Sequence, residues 1–130
     1  MPAKIDLIGL VVTDMARSLA FYRHLGLALP PEADDAPHAE FELPGGLRLA
    51  WDTEDTIRSF DPDWTRPSGG HRVALAFHFD TPDEADAAYA DLVALGYEGH
   101  KAPWNAPWGQ RYAIVNDPDG NAVDLFSPLS

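Results

Sequence analysis

The chain has 130 residues, no cysteine and a formal net charge of −12, from nine Lys and Arg against 21 Asp and Glu. A chain of that length buries a core without staples, and the missing cysteine removes disulfides, thiolate nucleophiles and Cys-based zinc sites. The acidity disfavours nucleic acid and anionic membrane surfaces, and with neither a signal-like start nor an apolar run near the ~20 residues that cross a bilayer, a cytoplasmic protein is expected.

The acidity keeps a small protein soluble, and it would also attract a cationic or electron-poor ligand. Composition alone leaves both readings open.

Residues 5–12, IDLIGLVV, are short and rich in β-branched and aliphatic types, so they read as a strand. The helix that follows has Thr13 or Asp14 as N-cap, Met15, Leu19, Tyr22 and Leu25 on one face, and Gly26 just past its end. A short strand is expected around residues 27–30, then a hairpin over 39–52 about Pro44-Gly45-Gly46. Residues 53–72, with Pro62, Pro67 and Gly69-Gly70, read as a connecting segment.

The same grammar then repeats. VALAFHF (73–79) reads as a strand, and Thr81, Pro82 and Glu84 supply N-cap, N1 and N3 of a helix whose apolar face is Ala85, Ala88, Leu92 and Leu95. A shift of 67 places Asp14 on Thr81 and Tyr22 on Tyr89. A short strand is expected around 97–101, and two strands flank Asp117-Pro118-Asp119-Gly120-Asn121 within 111–127. The pattern predicts an α+β chain of two β-α-β-β-β modules, about 1–58 and 72–130 joined by 59–71, as one domain with a curved mixed sheet and a cleft lined by every second strand residue.

Motifs for chemistry are sparse. No Ser or Lys sits in a nucleophile motif, no Gly-rich phosphate loop follows a strand, and the Asp-Pro-Asp-Gly-Asn run lacks the distal Glu of a calcium loop. His38 with Glu40 and Glu42 could gather a metal, but strand alternation makes them a solvated polar face. Aromatic residues are the remaining resource. Trp51 lies inside a strand and reads as packing, whereas Trp104 and Trp108 each follow a proline in KAPWNAPWGQRY (101–112), a segment read as a loop, where their flat faces would stack on a planar ligand.

With its two modules, VVTDMARSLAFYRHLGL and NDPDGNAVDLF, the chain resembles the vicinal oxygen chelate superfamily of glyoxalases, extradiol dioxygenases and bleomycin-type resistance proteins. GGLRLAWDTEDTIRSFDPDW, GYEGH and PWNAPWGQRYAIVNDPDGNAVDLFSPL are more narrowly similar to mitomycin-binding resistance proteins. Metal-dependent superfamily members carry His and Glu on cavity-facing strand positions. Here Leu7 and Ala74 stand at two of those positions and Asp124 at a third, so the resemblance implies no catalytic metal and no cofactor.

What the narrower resemblance implies is a non-enzymatic homodimer that sequesters a planar, mitomycin- or bleomycin-like antibiotic by stacking, with hand-over to an exporter as a further step. Trp108 is the first ligand-stacking ring it implies and Trp104 the second, with Tyr112 beside them and His38 and Asp52 as polar contacts. Arg111 would donate to quinone carbonyls or else pair with a carboxylate. Two alternatives differ in class: a metal-dependent glyoxalase- or dioxygenase-like enzyme with an atypical site, and a carrier of a planar biosynthetic intermediate.

Overall fold

In a computed structural model describing residues 2–130, the opening strand and helix are β1 (Leu7–Val12) and α1 (Met15–His24). Asp14 is the N-cap, its carboxylate accepting from the Arg17 N–H at 3.1 Å. A five-residue 3-10 helix (Pro31–Asp35), β2 (His38–Glu42), β3 (Arg48–Thr53) and α2 (Glu54–Phe60) complete a first compact unit that ends at Ser68. Its sheet runs β1-β3-β2, with β1 parallel and β2 antiparallel to β3. Register puts Leu10, Trp51 and Ala39 on one face, where the Tyr22 ring of α1 meets the Trp51 indole edge-on at 5.4 Å.

The second unit, from Gly69 on, comprises β4 (Ala74–His78), α3 (Pro82–Ala94), β5 (Glu98–Ala106), β6 (Gln110–Asn116) and β7 (Ala122–Pro128). Thr81 caps α3 by accepting from the Glu84 N–H at 3.2 Å. The sheet order is β4-β7-β6-β5, parallel only between β4 and β7. Leu75, Val123 and Val115 share one face with Phe77, Leu125 and Ala113; the two β4 residues are half-buried, and the other four are buried with Ala85 and Leu92 as this unit's core. The opposite face carries Ala76, His78, Asp124, Phe126, Ile114, Tyr112 and Trp104. The chain is thus α+β, as the repeat predicts, with two mixed sheets of three and four strands. Among the described residues no helix is long and apolar enough to cross a membrane.

Three local expectations fail, each for a physical reason. No strand forms at 27–30: Pro30 and Pro31 lack N–H groups, and Arg23 takes the carbonyls a ladder would need, donating from Nε to Leu29 O at 2.9 Å and from Nη2 to Pro30 O at 2.8 Å. The segment read as a connector begins with α2, because Thr53 accepts from the Thr56 N–H at 3.2 Å and Glu54 and Asp55 occupy the positive first turn. KAPWNAPWGQRY is mostly strand, since β5 continues to Ala106 and only Pro107, Trp108 and Gly109 turn. Pro103 is tolerated because β5 is an edge strand whose register shifts between Lys101 and Trp104.

Candidate functional site

The turn that presents Trp108 is fixed by backbone chemistry. Pro107 presets φ for its first position, Gly109 adopts φ +87° at its last, and the Gly109 N–H donates to Ala106 O at 3.1 Å. A three-residue hairpin of this kind projects its middle side chain outward, and Trp108 is 58% exposed. Its Nε1 donates to Gln110 Oε1 at 2.9 Å, which orients the indole.

Two more rings buttress it. Trp104 and Tyr112 are cross-strand partners on β5 and β6, and the Trp108 ring meets them edge-on with centroids at 5.9 Å and 5.3 Å. Tyr112 meets Trp104 edge-on at 5.7 Å and stacks on Phe126 at 6.1 Å, and His78 lies edge-on to Phe126 at 5.4 Å. The Lys101 ammonium sits 4.5 Å from the Trp104 ring centroid, so one Trp104 face is already taken by a cation. Trp104 therefore acts as a buttress, and Trp108 offers the accessible surface.

One polar pair stands among these rings. The Tyr112 hydroxyl donates to Asp124 Oδ2 at 2.5 Å, a diagonal contact across β6 and β7. Partial burial, and then that bond, push the Tyr112 phenol up to about 12. It stays protonated at neutral pH.

The other predicted residues lie elsewhere. Arg111 is next to Tyr112 on β6 and so faces the opposite side of the sheet, where it grips Asp86 of α3 at 2.9 and 3.2 Å and donates to Asn105 at 3.0 Å. The carboxylate pairing describes it, and its place beside the stacking rings is corrected. His38 and Asp52 belong to the first unit, where His38 Nδ1 lies 2.6 Å from Asp52 Oδ1 and Nε2 lies 2.8 Å from Glu40 Oε2. Arg48 extends that row, reaching Glu40 at 3.0 Å and Asp6 at 2.6 Å. Asp124 stands at the superfamily's ligand position in the sequence, and the diagonal register of β6 and β7 is the signal that brings it to Tyr112.

With a carboxylate at each ring nitrogen, His38 has both N–H bonds satisfied only as the imidazolium. Its pKa is raised above 6.5, by the Glu40 hydrogen bond first and the Asp52 bond next. A raised folded-state value means that the stabilisation is full below the unfolded pKa and is lost as pH rises through the higher folded one. Denaturant midpoints should therefore fall as pH rises through that window, and His38→Gln should flatten this part of the profile. An unchanged profile in the variant would remove His38 as its source.

An open depression of about 810 Å³ in the first unit, lined by Asp14, Asp34, Asp35 and Asp55 among others, contains none of the six predicted residues. Nor do the residues fit a metal of the superfamily type. Leu7 and Ala74 have no donor atom, Asp124 is held by Tyr112, and among the described residues no three of His, Cys, Asp and Glu gather as a metal needs.

The model of the glyoxalase/bleomycin resistance protein/dioxygenase superfamily matches residues 4–125. The chain belongs to this superfamily. A superfamily member of that description from Nocardioides is 30% identical, aligned over 100% of this chain and 86% of its own, with a TM-score of 0.75. A superfamily enzyme from Burkholderia phytofirmans reaches 0.83 at 19% identity over 98% and 100% of the two chains. A lactoylglutathione lyase from Agrobacterium tumefaciens reaches 0.67 at 22% identity over 98% and 95%. These last two share the fold. No protein of curated function matches the chain.

Proposed function

We propose that this superfamily member is a non-enzymatic binder that sequesters a planar antibiotic of the mitomycin or bleomycin kind by stacking it on Trp108. The observation that carries this reading is the Trp108 indole, 58% exposed on a turn fixed by Pro107 and Gly109 and braced edge-on by Trp104 and Tyr112. A rigid ring loses little entropy when it binds, so an exposed, oriented indole is a ready stacking surface. On this reading no bond of the ligand is made or broken, and it leaves as it came. Its resemblance to mitomycin-binding proteins supports a homodimer that hands the ligand to an exporter.

Titration with a mitomycin-type quinone should quench tryptophan fluorescence, with the quinone recovered unchanged in mass. Trp108→Ala should weaken binding by roughly 1–3 kcal/mol, or about 5- to 150-fold, with little change in melting temperature. Equal affinity in wild type and variant would end the stacking model.

A further inference from the structure

We propose that the ligand of this site is a planar ring system bearing a protonated amine or another N–H donor, and that Asp124 selects for it. This rests on the stacking reading above and specifies its ligand.

Hydrogen-bond capacity around the rings is lopsided. Two donors of the ring cluster are committed, Trp108 Nε1 to Gln110 and the Tyr112 hydroxyl to Asp124. The Asp124 acceptors are not: Tyr112 fixes the carboxylate through Oδ2 and leaves Oδ1 without a protein donor. A carboxylate accepts at about four lone-pair sites, so this one is under-used.

Its charge is also unbalanced. Asp124 is half-buried and makes no ion pair among the described residues. Of the basic side chains nearby, Arg111 is held by Asp86 on the other face of the sheet, Lys101 lies over the Trp104 ring, and the His78 ring packs edge-on against Phe126. Ligand carbonyls would meet a carboxylate and the electron-rich faces of indoles, whereas a cationic or N–H-bearing ring is attracted by both. The net charge of −12 draws the same class of ligand toward the protein.

Three acridines of one shape separate the terms: 9-aminoacridine as cation, acridine as neutral ring and acridine-9-carboxylate as anion. Affinities are read by fluorescence at physiological salt, where surface charges beyond about 8 Å are screened. Wild type should prefer the cation to the anion, and Asp124→Asn should reduce that ratio about tenfold, the worth of one charge-assisted hydrogen bond. Asp91→Asn, on the exposed side of α3, removes one charge away from the rings and should leave the ratio unchanged. Asp124→Glu restores the charge and should restore the preference, which separates loss of the carboxylate from loss of the fold.

An unaltered ratio in Asp124→Asn, or an equal fall in Asp91→Asn, overturns the selection by Asp124. If Trp108→Ala still weakens all three probes, stacking survives that failure. Indifference of every probe to Trp108→Ala, or no binding at all, overturns both.

Discussion

Trp51→Ala is expected to lower the free energy of unfolding by about 3–5 kcal/mol, the range for truncating a buried tryptophan to alanine. Trp51 is 0% exposed, lies between Leu10 and Ala39 in the register of the first sheet, and carries the Tyr22 ring on its edge at 5.4 Å. The first unit has only three strands and one long helix, so few side chains can collapse into the void. Trp51→Phe separates size from polarity. The Trp51 Nε1 is buried without a hydrogen-bond partner, so phenylalanine removes an unsatisfied donor along with part of the ring. We expect that variant to lose less than half as much as the alanine. Urea unfolding followed by circular dichroism reads both, and an alanine variant within about 1 kcal/mol of wild type would contradict the core described above, given the usual cost of such cavities.

Apart from β5, which runs on through a stretch read as a loop, the second module was legible because its signals are local. Thr81, Pro82 and Glu84 specify where α3 begins with no help from distant residues, and the Asp-Pro-Asp-Gly-Asn turn joins β6 to β7 through its own contacts, Asp117 Oδ1 accepting from Asp119 and Asn121 N–H groups at 2.9 Å each. The first module misled where a distant side chain decides. Arg23 capturing the Leu29 and Pro30 carbonyls depends on how the end of α1 meets the next segment, which no local pattern announces. By contrast α2 was readable: Thr53 followed by Glu54 and Asp55 is an N-cap signal, overlooked beside the prolines further on.

The site divides in the same way. Trp104, Trp108 and Tyr112 come together because β5 and β6 form a hairpin, and the turn residues Pro107 and Gly109 foreshadow it. Arg111 could have been set aside from sequence alone, since neighbours on a strand face opposite sides and Tyr112 had already claimed the ring side. Asp124 could not be matched to Tyr112 without the register of β6 on β7, which a sequence leaves unspecified to within a residue.

Gly99→Ala should destabilise the protein by about 1 kcal/mol, the low end of overpacking, because the position is exposed and the methyl meets the far end of the half-buried Tyr89 side chain. The cause is space, since Gly99 is not among the positive-φ glycines. A methyl group there would collide with the Tyr89 hydroxyl of α3, stand 2.9 Å from Tyr89 Cζ and 3.0 Å from Val93 Cγ2. Tyr89 lies across β5 at this point, so either its ring swings toward solvent or β5 moves outward. A double-mutant cycle distinguishes a clash from a general weakening: in a Tyr89→Ala background, Gly99→Ala should become nearly neutral, with a coupling of about 1 kcal/mol for residues in contact. An equal cost in both backgrounds would refute the clash. Strand β5 also carries Trp104 and leads into the turn of Trp108, so outward movement should alter tryptophan emission and weaken planar-ligand binding, and restoring room with Tyr89→Ala should recover both. Recovered stability without recovered emission would mean that Tyr89 supports the fold while the ring cluster is set by the β5–β6 hairpin alone.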